Sequence, residues 1–119
     1  MSIVVVLGAS PNPERYSYKA VKRLISNNYQ VVAIGKHEGF IGNVPIVTGQ
    51  PGLSDVHTVL MYLAPHHQGE IFEYVIALRP RRVIFNPGTE SPEFEEWLKS
   101  YDIVVMHGCS LVMMATGRF

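Results

Sequence analysis

Ile3-Val4-Val5-Val6-Leu7 is an unbroken apolar run that stops at Gly8-Ala9-Ser10 and enters a loop with Pro11 and Pro13. A run this short and this rich in β-branched residues predicts a strand buried on both faces, as strands of a parallel sheet are. That choice constrains the rest of the chain. Parallel strands need long crossover connections, so helices must cover the faces of the sheet. The Gly-Ala-Ser exit carries no large side chain, so its backbone can approach a bound group closely, as phosphate loops do. It is an incomplete dinucleotide fingerprint, because no second or third glycine follows Gly8 before the helix.

The segments that follow alternate as such a strand requires. Ser17 stands at an N-cap position ahead of Tyr18, Val21, Leu24 and Ile25, which recur at helical spacing. Residues 30–34 predict a second strand, completing a βαβ unit. Residues 35–45 read as irregular, 45–47 as a brief edge strand, and 48–55 as a loop. A third main strand is expected over 57–63, then a break at Ala64-Pro65-His66-His67. Ile71, Tyr74, Val75 and Leu78 mark a helix, and 83–85 a fourth strand. Ser91-Pro92 opens a helix whose Phe94, Trp97, Leu98 and Tyr101 face the core. The last strand is 102–106, followed by a short apolar helix over 111–115. One domain over 1–119 results: α/β, a doubly wound parallel sheet of about five strands in the order 3-2-1-4-5, with helices on both faces.

Ligands of open α/β sheets sit beyond the carboxyl ends of the strands, near the point where strand order reverses. The predicted exits are Gly8-Ala9-Ser10, Gly35-Lys36-His37, Ala64-Pro65-His66, Asn86-Pro87-Gly88-Thr89 and His107-Gly108-Cys109. All are small, polar or ring-constrained, which predicts a ligand cleft along that edge. The second exit discriminates between ligands. A site for NAD places a carboxylate there, whereas Lys36, with His37, suits a phosphate on the ribose. That favours NADP or coenzyme A over NAD, against the plainer view of Lys36 as a solvated surface charge. Arg15 and Lys19 flank the first helix entry, where they can neutralise a pyrophosphate or simply face water.

Other candidates have plainer readings. His66 and His67 are adjacent and lack a second cluster at ligand spacing, so no metal site is expected. His107 with Cys109 has no visible orienting partner, and reads as a turn residue beside a packed thiol. Glu90, Glu93, Glu95 and Glu96 crowd one helix start and read as surface charges matched to its dipole. No general acid or base is evident. Ten basic and ten acidic residues cancel, which predicts no general attraction to nucleic acid or to anionic membranes. A single cysteine excludes an internal disulfide, no apolar run is long enough to span a bilayer, and no leader precedes the first strand. A cytoplasmic protein is expected; oligomeric state is not readable.

In sequence order, Val6-Leu7-Gly8-Ala9-Ser10 with Pro11 and Pro13, Tyr16-Ser17-Tyr18, Ala64-Pro65, Val83-Ile84-Phe85-Asn86-Pro87-Gly88 and Gly108-Cys109 resemble the small stand-alone CoA-binding proteins. These are similar to the N-terminal CoA-binding domain of the succinyl-CoA synthetase α subunit. The resemblance spans essentially the whole chain. It implies a Rossmann-like fold that binds coenzyme A or an acyl-CoA. By position, it implies that Gly8, Ala9 and Ser10 meet the phosphates with Arg15 and Ser17 nearby, and that Lys36 lies near the ribose 3′-phosphate. It further implies that Pro65 borders the ligand path and that Asn86, Pro87 and Gly88 line the far side. The family often has Asn-Pro where this chain has Gly35-Lys36. The phosphorylated histidine of the synthetase has no counterpart here, so binding without catalysis is expected, with an NADP-binding small oxidoreductase or cofactor domain as the alternative.

Overall fold

Val4, Val5, Val6 and Leu7 are all buried, because helices cover both faces of the strand they form. The computed structural model describes residues 2–119. Its strands are β1 (Ile3–Leu7), β2 (Gln30–Ile34), β3 (Gly39–Ile41), β4 (Val44–Val47), β5 (Val56–Met61), β6 (Arg82–Phe85) and β7 (Val104–His107). They form one sheet in the order β3-β4-β2-β1-β5-β6-β7. All neighbours are parallel except the β3–β4 hairpin. The helices are α1 (Tyr16–Ser26), α2 (Phe72–Leu78), α3 (Pro92–Ser100) and α4 (Ser110–Ala115).

Alternation along each strand divides the core in two. Val5, Leu7, Val59, Met61, Val83 and Phe85 point to one face, where Val75 and Leu78 of α2 and Phe94 and Leu98 of α3 close over them. Val4, Val6, Ala33, Leu60 and Ile84 point to the other, under Ala20, Val21 and Leu24 of α1 and Leu111, Met113 and Met114 of α4. Aromatic rings lock the first layer. Phe94 stacks on Phe72 at 4.2 Å and meets Phe85 edge-on at 5.9 Å.

The α/β class holds, but the sheet is larger than expected and its order differs. The segment at residue 56 pairs directly with β1, not outside β2. The position next to β2 belongs to β4, the stretch read as a brief edge strand. Counting β4 as the third strand gives the doubly wound order, with the switch point between β1 and β5. The misreading arose at Pro45, which lacks an N–H for a ladder. Pro45 is tolerated because β2 pairs only with Ile46 and Val47, leaving Pro45 opposite Phe40 in the hairpin. The hairpin itself lies in a stretch expected to be irregular.

Local differences have similar causes. Arg15, not Ser17, is the N-cap of α1, and Ser17 is buried in its first turn. Tyr101 is 53% exposed instead of facing the core, because the helix ends one residue earlier. Glu95 is buried, not a surface charge. Its carboxylate accepts from the amide of the N-cap Ser91 and meets His107 Nε2 at 2.6 Å.

The parallel ladders run one bond past the strand ends. The amides of Gly35, Gly8, Tyr62, Asn86 and Gly108 donate to the carbonyls of Val47, Ile34, Leu7, Met61 and Phe85 respectively. Ala9 also donates to Ile34 O, at 2.9 Å. This crossing leaves no room at Gly35, where an added Cβ would stand 2.2 Å from the Ala9 carbonyl oxygen. Gly35→Ala is therefore expected to destabilise by roughly 3 kcal/mol, since the obstacle is backbone that cannot turn away. Urea unfolding measures it, and a change below about 0.5 kcal/mol would contradict the crossing. Phe94→Ala is expected to cost about 3–5 kcal/mol and Tyr101→Ala less than about 1. Equal costs would contradict the placement of the two rings.

Candidate functional site

At the switch point, the exits of β1, β2, β4 and β5 part and leave a cleft of about 1040 Å³. That is the upper end of the size of ligand pockets, roughly 300–1,000 Å³. Its floor is Leu7-Gly8-Ala9-Ser10-Pro11, and Arg15, Tyr16 and Ser17 form the wall at the start of α1. Gly35-Lys36-His37 and Thr48-Gly49-Gln50 follow from β2 and β4. The opposite side holds Tyr62, Leu63, His66, His67 and Gly69-Glu70-Ile71, with Pro87 and Thr89 from beyond β6.

The floor is shaped by backbone, not by free donors. Gly8 has φ +92, which a side chain rarely adopts, and a Cβ there would meet the Tyr62 backbone at 3.0 Å. The Gly8 and Ala9 amides are both spent on Ile34 O, so they are not available to a phosphate. The free donors lie further along. No side chain caps α1, and the Asn12 and Ser10 side chains bond to the loop instead, to the Glu14 and Asn12 amides. The first turn of α1 thus receives no side-chain cap, and its residues Tyr16 and Ser17 line the cleft at the positive end of an eleven-residue helix.

Charge is one-sided. Arg15, Lys36, His37, His66 and His67 line the cleft, against a single carboxylate, Glu70. His67 is held below its ordinary pKa by His66 first and Lys36 second. The imidazoles of His66 and His67 lie 4.0 Å apart.

The far wall is braced. Gln68 is wholly buried, and its Nε2 donates to Leu63 O at 2.9 Å and Thr89 O at 2.7 Å. Gln50 Nε2 donates to Glu70 O, and the Tyr74 hydroxyl to Pro51 O. Behind Tyr62, burial pushes its hydroxyl up to about 12. The Tyr62 hydroxyl and Ser110 Oγ are close, yet neither makes a hydrogen bond of good geometry.

Of the residues singled out from sequence, Gly8, Ala9, Ser10, Arg15, Ser17, Lys36 and Pro87 line the cleft. Pro65, Asn86 and Gly88 do not. Asn86 is committed to the fold: its Nδ2 donates to Met61 O and its Oδ1 accepts from the Ser110 amide. Pro65 opens the 3-10 turn at residues 65–67, and Gly88 turns outward with φ +90. His107 and Cys109 also stand outside the cleft, because β7 extends through His107. Sequence reasoning passed over Tyr16, Thr48-Gly49-Gln50, Tyr62 and Gly69-Glu70-Ile71. The exit of β4 was findable once 44–47 was treated as an inner strand. Tyr62 was not, because the third main strand was drawn through it.

Comparison with known proteins agrees with the fold. No curated protein matches the chain. A crystal structure of an uncharacterized protein superposes with a TM-score of 0.96 at 39% identity, covering 100% of this chain and 98% of its own. A hypothetical protein from Pyrococcus horikoshii OT3 matches with a TM-score of 0.83 at 20% identity, covering 96% and 81%. The cell-free ID.343 structure from Thermus thermophilus matches at 0.81 and 24%, covering 99% and 90%. These last two share the fold. The family model described as "CoA binding domain" matches residues 2–115, nearly the whole chain, and the protein therefore belongs to the CoA-binding domain family.

Proposed function

We propose that this protein binds coenzyme A, free or as an acyl-CoA, at the carboxyl ends of β1, β2 and β5, without catalysis of its own. The observation that supports this most is the pairing of an uncapped α1 N-terminus with Arg15 and Lys36 in a cleft of cofactor size, in a chain of the CoA-binding family. Helix-end amides and two cations suit a pyrophosphate and a phosphomonoester. Binding alone is the reading because the cleft gathers cations that suit phosphates. The candidate nucleophile Cys109 lies outside it. The likeness to the N-terminal domain of the synthetase α subunit belongs to the same reading. So does a cytoplasmic location, which suits one unpaired cysteine, and a balanced charge that draws in no nucleic acid.

A second reading has the same basic exit of β2 in its favour: an NADP-binding small oxidoreductase or cofactor domain. Calorimetric titration with coenzyme A, acetyl-CoA and NADPH separates the two. Coenzyme A is expected to bind with Arg15→Ala weakening it roughly tenfold, the worth of one charge-assisted hydrogen bond. No heat and no thermal shift at millimolar coenzyme A would overturn the first reading, and NADPH binding tighter than coenzyme A would establish the second.

A further inference from the structure

Lys36 leaves β2 and the His66-His67 pair follows β5, so these groups come from the two strands that flank β1 at the switch point. All three line one cleft. We propose that His66 and His67 join Lys36 in a clamp for a phosphomonoester on the ligand's ribose. The inference rests on the cofactor-binding reading above and names the part of the ligand that the histidines recognise.

Three observations carry it. First, the imidazoles are 4.0 Å apart, and among the described residues lining the cleft only Glu70 bears a negative charge against Arg15, Lys36, His37 and the pair. Like charges so placed repel, and an entering dianion relieves all of them at once. The depressed pKa of His67, caused by His66 and then Lys36, reports that crowding in the free protein. Second, the pair stands on a fixed platform. Pro65 starts the turn, the His67 amide bonds Ala64 O, the Gln68 amide bonds Pro65 O, and the buried Gln68 side chain pins the turn to Leu63 and Thr89. The backbone that carries the rings is thus ordered before binding. Third, the chemistry matches. A phosphomonoester loses its second proton near pH 6, beside the ordinary range of histidine, whereas a pyrophosphate diester bridge holds a constant charge there.

The sign of the pH dependence follows. Bound dianion raises the imidazole pKa values, so binding takes up protons near neutrality. Affinity should increase as pH falls from about 8 to about 6.5, then decline as the phosphate itself gains a proton. The titratable and charged groups that share the cleft with the pair are Lys36 and His37 after β2, Arg15 and Tyr16 at the start of α1, Tyr62 after β5 and Glu70 beyond the turn, of which Lys36 and Glu70 act on His67 directly. Tyr62, pushed up to about 12 by burial, keeps its proton throughout that interval, and the variant below, which retains every group but the pair, separates their contribution from that of the neighbours.

The test is calorimetry on the full chain at about pH 6.5 and about pH 8, in buffers of differing ionisation heat. It compares coenzyme A with 3′-dephospho-CoA, and NADP with NAD. The phosphomonoester form of the ligand that binds is expected to be preferred roughly tenfold at the lower pH, with proton uptake. The His66→Gln/His67→Gln double variant is expected to keep its affinity for the dephosphorylated form and lose both the preference and the proton uptake. Both side chains are exposed, so the fold is not at stake. An unchanged preference and pH profile in that variant would overturn the clamp while leaving coenzyme A binding intact. Failure of coenzyme A with a histidine-dependent preference for NADP would overturn the coenzyme A reading and keep the clamp. No preference in either pair overturns the clamp whichever cofactor binds.

Discussion

The Ile34 carbonyl accepts hydrogen bonds from two successive amides, Gly8 at 3.0 Å and Ala9 at 2.9 Å. This doubled bond draws the exit of β1 across the end of β2, and only a glycine at 35 can lie beneath it. The crossing decides where the chain goes next. Ser10 and Pro11 after β1 and Lys36 after β2 all line the cleft that opens beyond it. The same ladder continues sideways, Gly35 to Val47 on one side and Tyr62 to Leu7 on the other. The cleft is therefore a consequence of how four strand ends are tied, and its walls are as fixed as the sheet.

Tying those amides into the ladder has an electrostatic result. A loop in which backbone amides cradle a phosphate binds anions mainly through geometry. Here the amides nearest the floor are consumed, and attraction must come from the start of α1 and from side chains. Arg15 and Lys36 are exposed, so their fields are screened by salt more than those of buried donors. The glycines missing after Gly8 fit this arrangement. In the dinucleotide fingerprint the second glycine lets the backbone approach a pyrophosphate, and this chain does not offer its floor for that purpose.

Much of this was legible from residue order. The β-branched run of β1, its small exit, and helices at 3.6-residue spacing fix an α/β sheet with helices on both faces. The cleft was placed by strand exits alone, and most of its floor and α1 wall was named in advance. What escaped depended on partners that are distant in sequence. Pro45 disguised an inner strand, and that single error displaced the strand order. Ser17 carries the chemistry of a cap but lies in the first turn, since the helix begins two residues earlier, at the N-cap Arg15, after a loop closed by the Asn12 side chain. Glu95 could be told from its acidic neighbours only by His107, twelve residues on and one strand over. Asn86 has the look of a ligand contact, yet it bonds Met61 and Ser110, a use of the amide that sequence does not reveal.

Gln68 brings together two loops that belong to different strands. Its one side-chain nitrogen holds Leu63, after β5, and Thr89, after β6, and Thr89 in turn is bonded to Asn86, which holds the start of α4. These corners cannot move independently without breaking a buried hydrogen bond. A single amide nitrogen thus ties the turn at residues 65–67, through Thr89 and Asn86, to Ser110 at the start of α4, so one rim of the cleft and that helix hang on the same hydrogen-bonded chain.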